Sequence, residues 1–328
     1  MIVVRAPLRI SIGGGGTDLP FFSSKYGGSL ISAAINKYIY IIIKKREFYD
    51  DFLIRYSEVE NPKTLKDIQH TRIKAALEYL NINEPLEITS IADVPANTGL
   101  GSSSTFLVAL LKALHAYKRE DVSAKKLAEE ASEIEMNILG EPIGKQDQYL
   151  ASFGGVIHLD IDKKGNVTVS QVNASYSTME ELENNLLLFN TGIKRSAIEV
   201  IEDQKKNLES NGEKMEQMKL IKEIGEEIRK ALEKGEPSKV GKWLNVHWEA
   251  KKNFSKKMSS QNIDNSYEIA LKKGASGGKL VGAGGGGFLM FYCENHKGQL
   301  REAMNGLGLK EMPFRFDTEG CKIIYQGV

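Results

Sequence analysis

The feature that most constrains this fold is a helix that is apolar nearly all round and begins with small residues. Residues 95–104 read P-A-N-T-G-L-G-S-S-S, and the run T-F-L-V-A-L-L-K-A-L-H-A follows directly. A helix without a polar face has to be buried on all sides, so this segment is predicted to lie in the core. With 328 residues, 41% of them hydrophobic, the chain can bury such a core and has the length of two domains.

The start of this helix predicts an anion-binding site. The first N–H groups of a helix have no partner within the helix, and they lie at the positive end of its dipole. An ordinary serine cap is the alternative, but a cap needs only one hydroxyl. Residues 99–104 supply two glycines and three serines. This surplus favours a loop that binds phosphate and provides a magnesium ligand.

Two further glycine clusters stand near the two ends of the chain. Gly282–Gly287 reads G-A-G-G-G-G and joins two strand-like runs, whereas a dinucleotide-binding G-x-G-x-x-G leads from a strand into a helix. Four consecutive glycines predict a close backbone approach to a ligand or to another loop, with a flexible hairpin as the alternative. The second cluster, P-L-R-I-S-I-G-G-G-G-T-D at residues 7–18, fits either a strand and turn or the floor of a polar pocket.

Runs of β-branched and aromatic residues bounded by Gly, Pro, Asn or Asp predict strands. They are Ile2–Ile12, Ser29–Lys44, Leu86–Ile91, Gly155–Ile161, Val167–Val172, Leu186–Asn190, Lys279–Ala283, Phe288–Cys293, Pro313–Asp317 and Lys322–Gln326. Apolar residues at helical spacing predict helices over 65–80, 102–117, 123–139, 195–210, 213–234, 238–258 and 298–306. Because long charged helices begin after a strand near residue 183, segments 1–182 and 183–328 are predicted to form two domains.

Charge and composition exclude several classes of function. A net charge of +1 gives no global field that would attract nucleic acid. The longest apolar stretch, around residues 39–43, is far shorter than the roughly 20 residues that cross a bilayer, and the N-terminus lacks a signal-peptide pattern. Cys293 and Cys321 are too few for a disulfide framework and suit a reducing compartment. We expect a cytoplasmic protein without nucleic-acid or membrane partners, and the oligomeric state stays open.

The three glycine clusters, in this order and spacing, resemble the motifs of the GHMP kinases, which are named after galactokinase, homoserine kinase, mevalonate kinase and phosphomevalonate kinase. The resemblance covers essentially the whole chain, with Thr105 as a conservative departure where members often carry Ala or Ser. It implies an α+β fold of two domains. The N-terminal domain would be like the second domain of ribosomal protein S5, the C-terminal domain would be ferredoxin-like, and ATP and substrate would bind in the cleft between them.

The same resemblance implies the nucleotide and metal site. Ser103 stands at the position of the magnesium-binding serine, and Glu135 matches the acidic magnesium ligand. Glu135 follows Ala131 by four residues and precedes Ile138 by three, which predicts an inward-facing side chain; a surface glutamate is the alternative. The further residues that the resemblance implies for nucleotide binding are Pro95, Asn97, Gly99, Leu100, Gly101, Ser102, Ser104, Gly284 and Gly285.

For catalysis, Asp147 resembles the catalytic aspartate of the galactokinase branch, with a helix cap as the alternative. It would accept the proton of the sugar hydroxyl that attacks the terminal phosphate of ATP. Arg9, by its match to the first motif, would steady this carboxylate and the developing charge. Lys145 competes with Arg9 for the supporting role.

The substrate side rests on the end of the first motif. Asp18 matches the family's sugar-binding aspartate, and together with Thr17 it is expected to bind ring hydroxyls, with Gly144 nearby. Gly15 and Gly16 stand where galactokinases have an acidic residue and a histidine. Their lack of side chains enlarges the pocket and removes a negative charge, which suits a bulkier phosphorylated sugar.

The forms R-I-S-I-G-G-G-G-T-D and G-K-Q-D-Q-Y are most similar to the branch that phosphorylates the anomeric hydroxyl of D-glycero-D-manno-heptose 7-phosphate. Its product is the 1,7-bisphosphate, used to make nucleotide-activated heptose. Lys194 and Arg195 follow a strand end and open a helix, so they are expected to bind the substrate phosphate; a solvated pair is an equally open alternative. Two other functions stay open, namely a kinase of an unphosphorylated sugar such as fucose and a sugar or nucleotide sensor without turnover. A sensor would have no need of a base such as Asp147.

Overall fold

The computed structural model describes residues 1–194 and 197–327, and within these ranges the chain forms two β-sheets surrounded by helices. The strands are β1 (Ile2–Gly13), β2 (Gly28–Lys45), β3 (Leu53–Arg55), β4 (Val59–Glu60), β5 (Leu86–Ala92), β6 (Val156–Ile161), β7 (Val167–Gln171), β8 (Leu186–Asn190), β9 (Gly277–Leu280), β10 (Phe288–Tyr292), β11 (Lys310–Glu311) and β12 (Lys322–Gln326). The helices are α1 (Pro20–Tyr26), α2 (Thr71–Tyr79), α3 (Ser102–Tyr117), α4 (Ala124–Glu133), α5 (Gln146–Phe153), α6 (Tyr176–Asn185), α7 (Ala197–Glu209), α8 (Gly212–Glu233), α9 (Lys239–Lys251), α10 (Gln261–Lys272) and α11 (Lys297–Gly306). None of the helices in these ranges carries an apolar run long enough to cross a membrane.

The first sheet has the strand order β12-β1-β2-β5-β3-β4, and β6 and β7 extend it from the other end of β2. Its strands pair antiparallel except for the parallel pair β3 and β5. Helix α3 packs against β1 and β2, as its apolar surface predicts, and its residues from Ser104 to Leu111 are buried. The sequence-based bounds of this helix, 102–117, agree with the structure.

The second sheet has the order β11-β8-β10-β9, all antiparallel, and it packs against α9. Helix α8, which lies between β8 and β9 in sequence, packs against β1 and β2 of the first sheet and against α9. Strand β12 returns to the first sheet and pairs with β1, with Ile2 opposite Gln326. Segments 1–182 and 183–328 therefore share a sheet, and the domain boundary at residues 182–183 stays a prediction.

The strand predicted over Pro313–Asp317 does not form. Only Phe316 makes a bridge, to Ile35 of β2. The N–H of Arg315 donates to the side chain of Asn36 at 2.7 Å, and the N–H of Phe316 donates to Glu183 Oε2 at 2.5 Å. Because side chains occupy these donors, the segment has no regular ladder despite its two phenylalanines.

Candidate active site

A cleft of about 440 Å³ lies at the start of α3, and it is lined by residues from both halves of the chain. One wall is the phosphate loop, which we define as residues 95–104. Here Gly99 and Gly101 have φ of 80° and 79°, in the left-handed region that glycine adopts at no steric cost. Gly101 precedes the first helical residue without a side-chain cap, so the first N–H groups of α3 are free to bind an anion.

The three serines of this loop have different surroundings. Ser103 is exposed and lines the cleft. Ser104 is buried and lies close enough to Glu135 to favour the ionised form of that carboxylate. The hydroxyl of Ser102 is buried and has no hydrogen-bond partner among the described residues. A serine cap would use this hydroxyl, whereas a phosphate-binding loop would leave it unpaired until a ligand binds.

Glu135 is fully buried, as the sequence predicted, but its position arises from a local irregularity. After α4 the chain makes one π-helical turn, Ile134–Ile138, a distortion common at functional sites. Ile138, which was expected to continue the apolar stripe, is 51% exposed as a result. The turn directs the Glu135 carboxylate into the cleft wall beside the phosphate loop.

Two side chains that the sequence did not indicate hold this carboxylate. Arg72 donates from Nε to Oε1 at 3.0 Å, and Gln148 donates from Nε2 to Oε2 at 2.6 Å. Arg72 also donates to Glu141 at 2.6 Å. Burial raises the pKa of Glu135, although Arg72 and the neighbouring hydrogen-bond donors act in the opposite direction. Arg72 belongs to no motif, so only the packing of α2 reveals it.

Arg9 and Asp147 form a two-pronged ion pair at the floor of the cleft. Arg9 donates from Nε to Oδ1 at 2.7 Å and from Nη2 to Oδ2 at 2.9 Å. Its third nitrogen, Nη1, donates to the carbonyl of Gly99 at 2.6 Å. A methyl group on Gly101 would come within 3.0 Å of Asp147 Oδ2, so this carboxylate lies against the phosphate loop. Asp147 is in the first turn of α5, where the helix dipole also favours its negative charge.

Lys145 is not part of this ion pair. Its ammonium group donates to the carbonyl of Gly165 at 2.6 Å, in the turn between β6 and β7. Lys194, expected at the substrate phosphate, is exposed at the end of the described segment, and Arg195 lies outside the described residues.

Asp18 also lines the cleft, beside the start of α5. It accepts the N–H of Gln146 at 3.1 Å and the N–H of Gly16 at 3.2 Å. Burial raises its pKa, the charge of Asp147 adds to this effect, and the Gln146 hydrogen bond opposes it. A methyl group on Gly144 would overlap the Asp18 carboxylate, which explains why a glycine stands there.

Thr17 is not brought into the cleft. Its hydroxyl is fully buried and hydrogen-bonded to the carbonyls of Gly14, at 2.8 Å, and Ser29, at 3.0 Å. Gly15 and Gly16 do line the cleft, but they also serve the backbone: a methyl group on Gly15 would overlap the Ser11 hydroxyl, and Gly16 has φ of 99°. Packing at Gly15 and backbone conformation at Gly16 are therefore already sufficient reasons for glycine.

The C-terminal glycine turn, Gly282–Gly287, packs against the phosphate loop. A methyl group on Gly99 would lie 2.7 Å from the carbonyl oxygen of Val281, and one on Gly282 would lie 2.6 Å from that of Gly99. The predicted close backbone approach is thus an approach to another loop. Gly284 and Gly285 lie outside the cleft lining, and Gly285 donates its N–H to the carbonyl of Met258 at 2.8 Å.

Comparison with known proteins agrees with this arrangement. The family model of the GHMP kinases N terminal domain matches residues 70–155, and that of the GHMP kinases C terminal domain matches residues 228–308. The D-glycero-alpha-D-manno-heptose 7-phosphate kinase of Campylobacter jejuni is 30% identical to this chain, and the alignment covers 98% of each protein. The galactokinase of Pyrococcus furiosus is 25% identical over 90% of each.

A solved structure shows the same fold over the full length. The crystal structure of a D-glycero-D-manno-heptose 1-phosphate kinase from Bacteroides thetaiotaomicron matches with a TM-score of 0.81 and 27% identity, and the match covers all of both chains. The fold is therefore shared over the whole length of both chains. The chain belongs to the GHMP kinases, a family of phosphotransferases.

Proposed function

We propose that this chain is an ATP-dependent sugar kinase that phosphorylates the anomeric hydroxyl of D-glycero-D-manno-heptose 7-phosphate. The product would be the 1,7-bisphosphate, for synthesis of nucleotide-activated heptose. The main structural support for a kinase reaction is the position of the Asp147 carboxylate, which Arg9 holds against the phosphate loop. The heptose relatives from Campylobacter jejuni and Bacteroides thetaiotaomicron support the choice of sugar.

The phosphates of ATP would bind the free N–H groups at the start of α3. Ser103 and Glu135 line the same wall of the cleft, and an oxygen pair of this kind fits Mg²⁺, which takes one or two carboxylates and leaves its other positions to phosphates and water. Bound there, the ion would neutralise charge on the phosphates. Arg72 and Gln148 would keep the Glu135 carboxylate directed at this wall.

On the acceptor side, Asp18 would accept hydrogen bonds from ring hydroxyls of the sugar. Asp147 would receive the proton of the attacking anomeric hydroxyl. Arg9 would hold the Asp147 carboxylate in the orientation in which it receives that proton. Lys194 and Arg195 would bind the distal phosphate of the heptose.

A coupled assay of ADP release tests this proposal. The panel consists of heptose 7-phosphate, heptose 1-phosphate, free heptose, fucose and galactose, and ³¹P NMR of the product identifies the oxygen that is phosphorylated. The names of the two heptose relatives place the substrate phosphate at different positions, so both isomers are needed. The expected result is the highest kcat/KM with heptose 7-phosphate and a 1,7-bisphosphate product.

Other outcomes would replace the proposal. A preference for fucose would make the chain a kinase of an unphosphorylated sugar, and sugar binding without turnover would make it a sensor. The Arg195→Ala variant examines the phosphate contact. It should raise the KM for heptose 7-phosphate about tenfold to a hundredfold, the value of a charge-assisted hydrogen bond, and leave the use of free heptose unchanged.

A further inference from the structure

Two lysines that belong to none of the assigned roles are buried at the cleft. Lys251 ends α9 and is 6% exposed, and Lys279 lies in β9 and is 2% exposed. Both line the cleft. We call them the lysine pair.

The lysine pair has no acidic partner among the described residues. The ammonium group of Lys251 donates to the carbonyl of Gly282 at 2.9 Å, and that of Lys279 makes no hydrogen bond or ion pair to a described residue. Asp18 is the acid that most favours the charge of Lys251, but it lies beyond ion-pair distance. Buried ammonium groups without an anion are costly, so such a pair calls for a ligand that supplies negative charge.

Neighbouring basic groups increase this excess of positive charge. Burial lowers the pKa of Lys251 to about 8, and the charge of Arg9 contributes. Burial, Lys251 and Arg9 together lower the pKa of Lys279. His247, one helical turn before Lys251, is fully buried and does not add to this charge, because burial and the charges of Lys279 and Lys251 lower its pKa well below 6.5. The charge of Arg9 is itself balanced by Asp147.

Contacts around Lys251 place this lysine beside the phosphate loop, and Lys279 lines the same cleft. The carbonyl that Lys251 binds belongs to Gly282, which packs against Gly99 of the phosphate loop. The carbonyl of Gly99 in turn accepts the Nη1–H of Arg9, whose other nitrogens hold Asp147. The ammonium group of Lys251 is thus linked to the candidate base through Gly282, Gly99 and Arg9.

We infer that Lys251 and Lys279 bind the phosphoryl group that is transferred, that is, the terminal phosphate of the nucleotide. This inference rests on the proposed kinase function. In phosphoryl transfer the charge is spread over the equatorial oxygens of the moving group, and catalysis consists largely of positioning that group and stabilising its charge. Two ammonium groups without counter-charge, beside the base and the phosphate loop, supply this stabilisation. The same chemistry would suit the phosphate of the sugar, so the experiment separates the two sources.

The variants for the test are Lys251→Met and Lys279→Met, with Lys256→Met as the matched control because Lys256 is an exposed lysine shortly after α9. Calorimetry measures the binding of three probes: a non-hydrolysable ATP analogue, ADP, and heptose 7-phosphate without nucleotide. Each lysine variant should lose about tenfold to a hundredfold in affinity for the ATP analogue and keep its affinity for ADP within about threefold. The control should match the wild type with all three probes.

A second readout is proton uptake, measured in buffers of different ionisation enthalpy. An arriving phosphate raises the pKa of both ammonium groups, so the wild type should take up protons with the ATP analogue, and either variant should take up fewer. The melting temperature of the unliganded variants should equal or exceed that of the wild type, because each substitution removes a buried amino group that has no acidic partner among the described residues.

Three outcomes would overturn the inference. Equal losses for ADP and the ATP analogue would give the lysines a general role in nucleotide binding or folding. Lost binding of heptose 7-phosphate with unchanged binding of the ATP analogue would assign them to the sugar phosphate. A lower melting temperature with unchanged ligand binding would make them structural. If the wild type prefers another sugar, the heptose proposal fails, while the comparison of ADP with the ATP analogue remains decisive for the lysine pair.

Discussion

The guanidinium of Arg9 and the carboxylate of Asp147 share two parallel hydrogen bonds, at 2.7 and 2.9 Å, and Arg9 is 6% exposed. Such a forked pair fixes the carboxylate plane as well as its position. Since Arg9 also binds the carbonyl of Gly99, the same side chain sets the distance between the candidate base and the phosphate loop. The N–H groups proposed to bind the nucleotide belong to the start of α3 and not to Asp147, so loss of the base can be separated from loss of nucleotide binding.

We therefore expect Asp147→Asn to keep the fold and ATP binding but to lower turnover by about 10²- to 10⁴-fold, the usual contribution of a positioned base. Steady-state kinetics and calorimetry with ATP measure the two quantities. Asp160→Asn, at an exposed position of β6, is the control. Near-normal turnover of Asp147→Asn would leave Asp147 a structural partner of Arg9.

The second prediction concerns magnesium at Glu135. The neutral amide of Glu135→Gln is a poorer ligand for a hard cation than the carboxylate. The Mg²⁺ concentration for half-maximal rate should therefore rise at least about tenfold, because even the loss of a group that only supports a metal ligand lowers metal affinity by about that factor. Glu141→Gln is the control, because Glu141 pairs with the same arginine, Arg72, at 2.6 Å. An unchanged magnesium titration in Glu135→Gln would show that this carboxylate serves only to hold Arg72 and Gln148.

The third prediction concerns the sugar side of the cleft. In Gly144→Ala the added methyl group would displace the Asp18 carboxylate from its hydrogen bonds with Gly16 and Gln146. The KM for the sugar should rise about tenfold to a hundredfold, as expected for a lost charge-assisted hydrogen bond, with ATP affinity unchanged. Gly212→Ala, which would add a methyl group in open space, is the control. If the sugar KM stays constant, Asp18 does not bind the acceptor.

The fourth prediction is a pH dependence of stability that arises away from the cleft. His115 is buried with its Nδ1 2.7 Å from Glu120 and its Nε2 2.6 Å from Glu130. Burial lowers the pKa of His115, but the hydrogen bonds to Glu130 and Glu120 outweigh it, so the pKa lies above its usual value of 6.5. The folded protein then holds this proton more tightly than the unfolded chain. The contribution of His115 to the free energy of unfolding is complete below about pH 6.5 and is lost as the pH rises through the pKa of His115 in the folded protein.

Denaturant unfolding at a series of pH values measures this effect. The free energy of unfolding should fall above about pH 6.5 with a slope of up to about 1.4 kcal/mol per pH unit from this group. In Glu130→Gln the slope should be smaller, because the imidazolium has lost one of its two carboxylates. The same slope in variant and wild type would assign the pH dependence to other groups.

The sequence was most informative where local rules decide the structure. The helix at 102–117 could be predicted because its apolar residues and its glycine-serine start agree with each other. The proximity of Arg9 to Asp147 could be predicted only through the resemblance, since 138 residues separate them. The isolated pattern around Glu135 predicted burial correctly, yet the π-helical turn that produces it leaves no signature in composition.

The lysine pair shows what sequence patterns cannot supply. In the sequence Lys251 is one of several lysines in a charged helix, and Lys279 is the first residue of a predicted strand, so neither stands out. Their convergence depends on the packing of α9 against β9, which is a tertiary event. The same reason applies to Arg72, whose role depends on the packing of α2 beside the π-helical turn.

Strand β12 has a consequence for biosynthesis. It covers the outer edge of β1, and Arg5 of β1 donates to Glu319, which lies 314 residues further along the chain, at 2.5 Å. At translation rates of about 5 to 20 residues per second, that edge stays unpaired on the ribosome for about 15 to 60 seconds after β1 emerges. An uncovered apolar edge strand is a template for pairing with other chains. During most of its synthesis the nascent chain therefore exposes the edge of β1, the strand that carries Arg9, to aggregation. The yield of folded enzyme should then depend on how well a chaperone shields that edge.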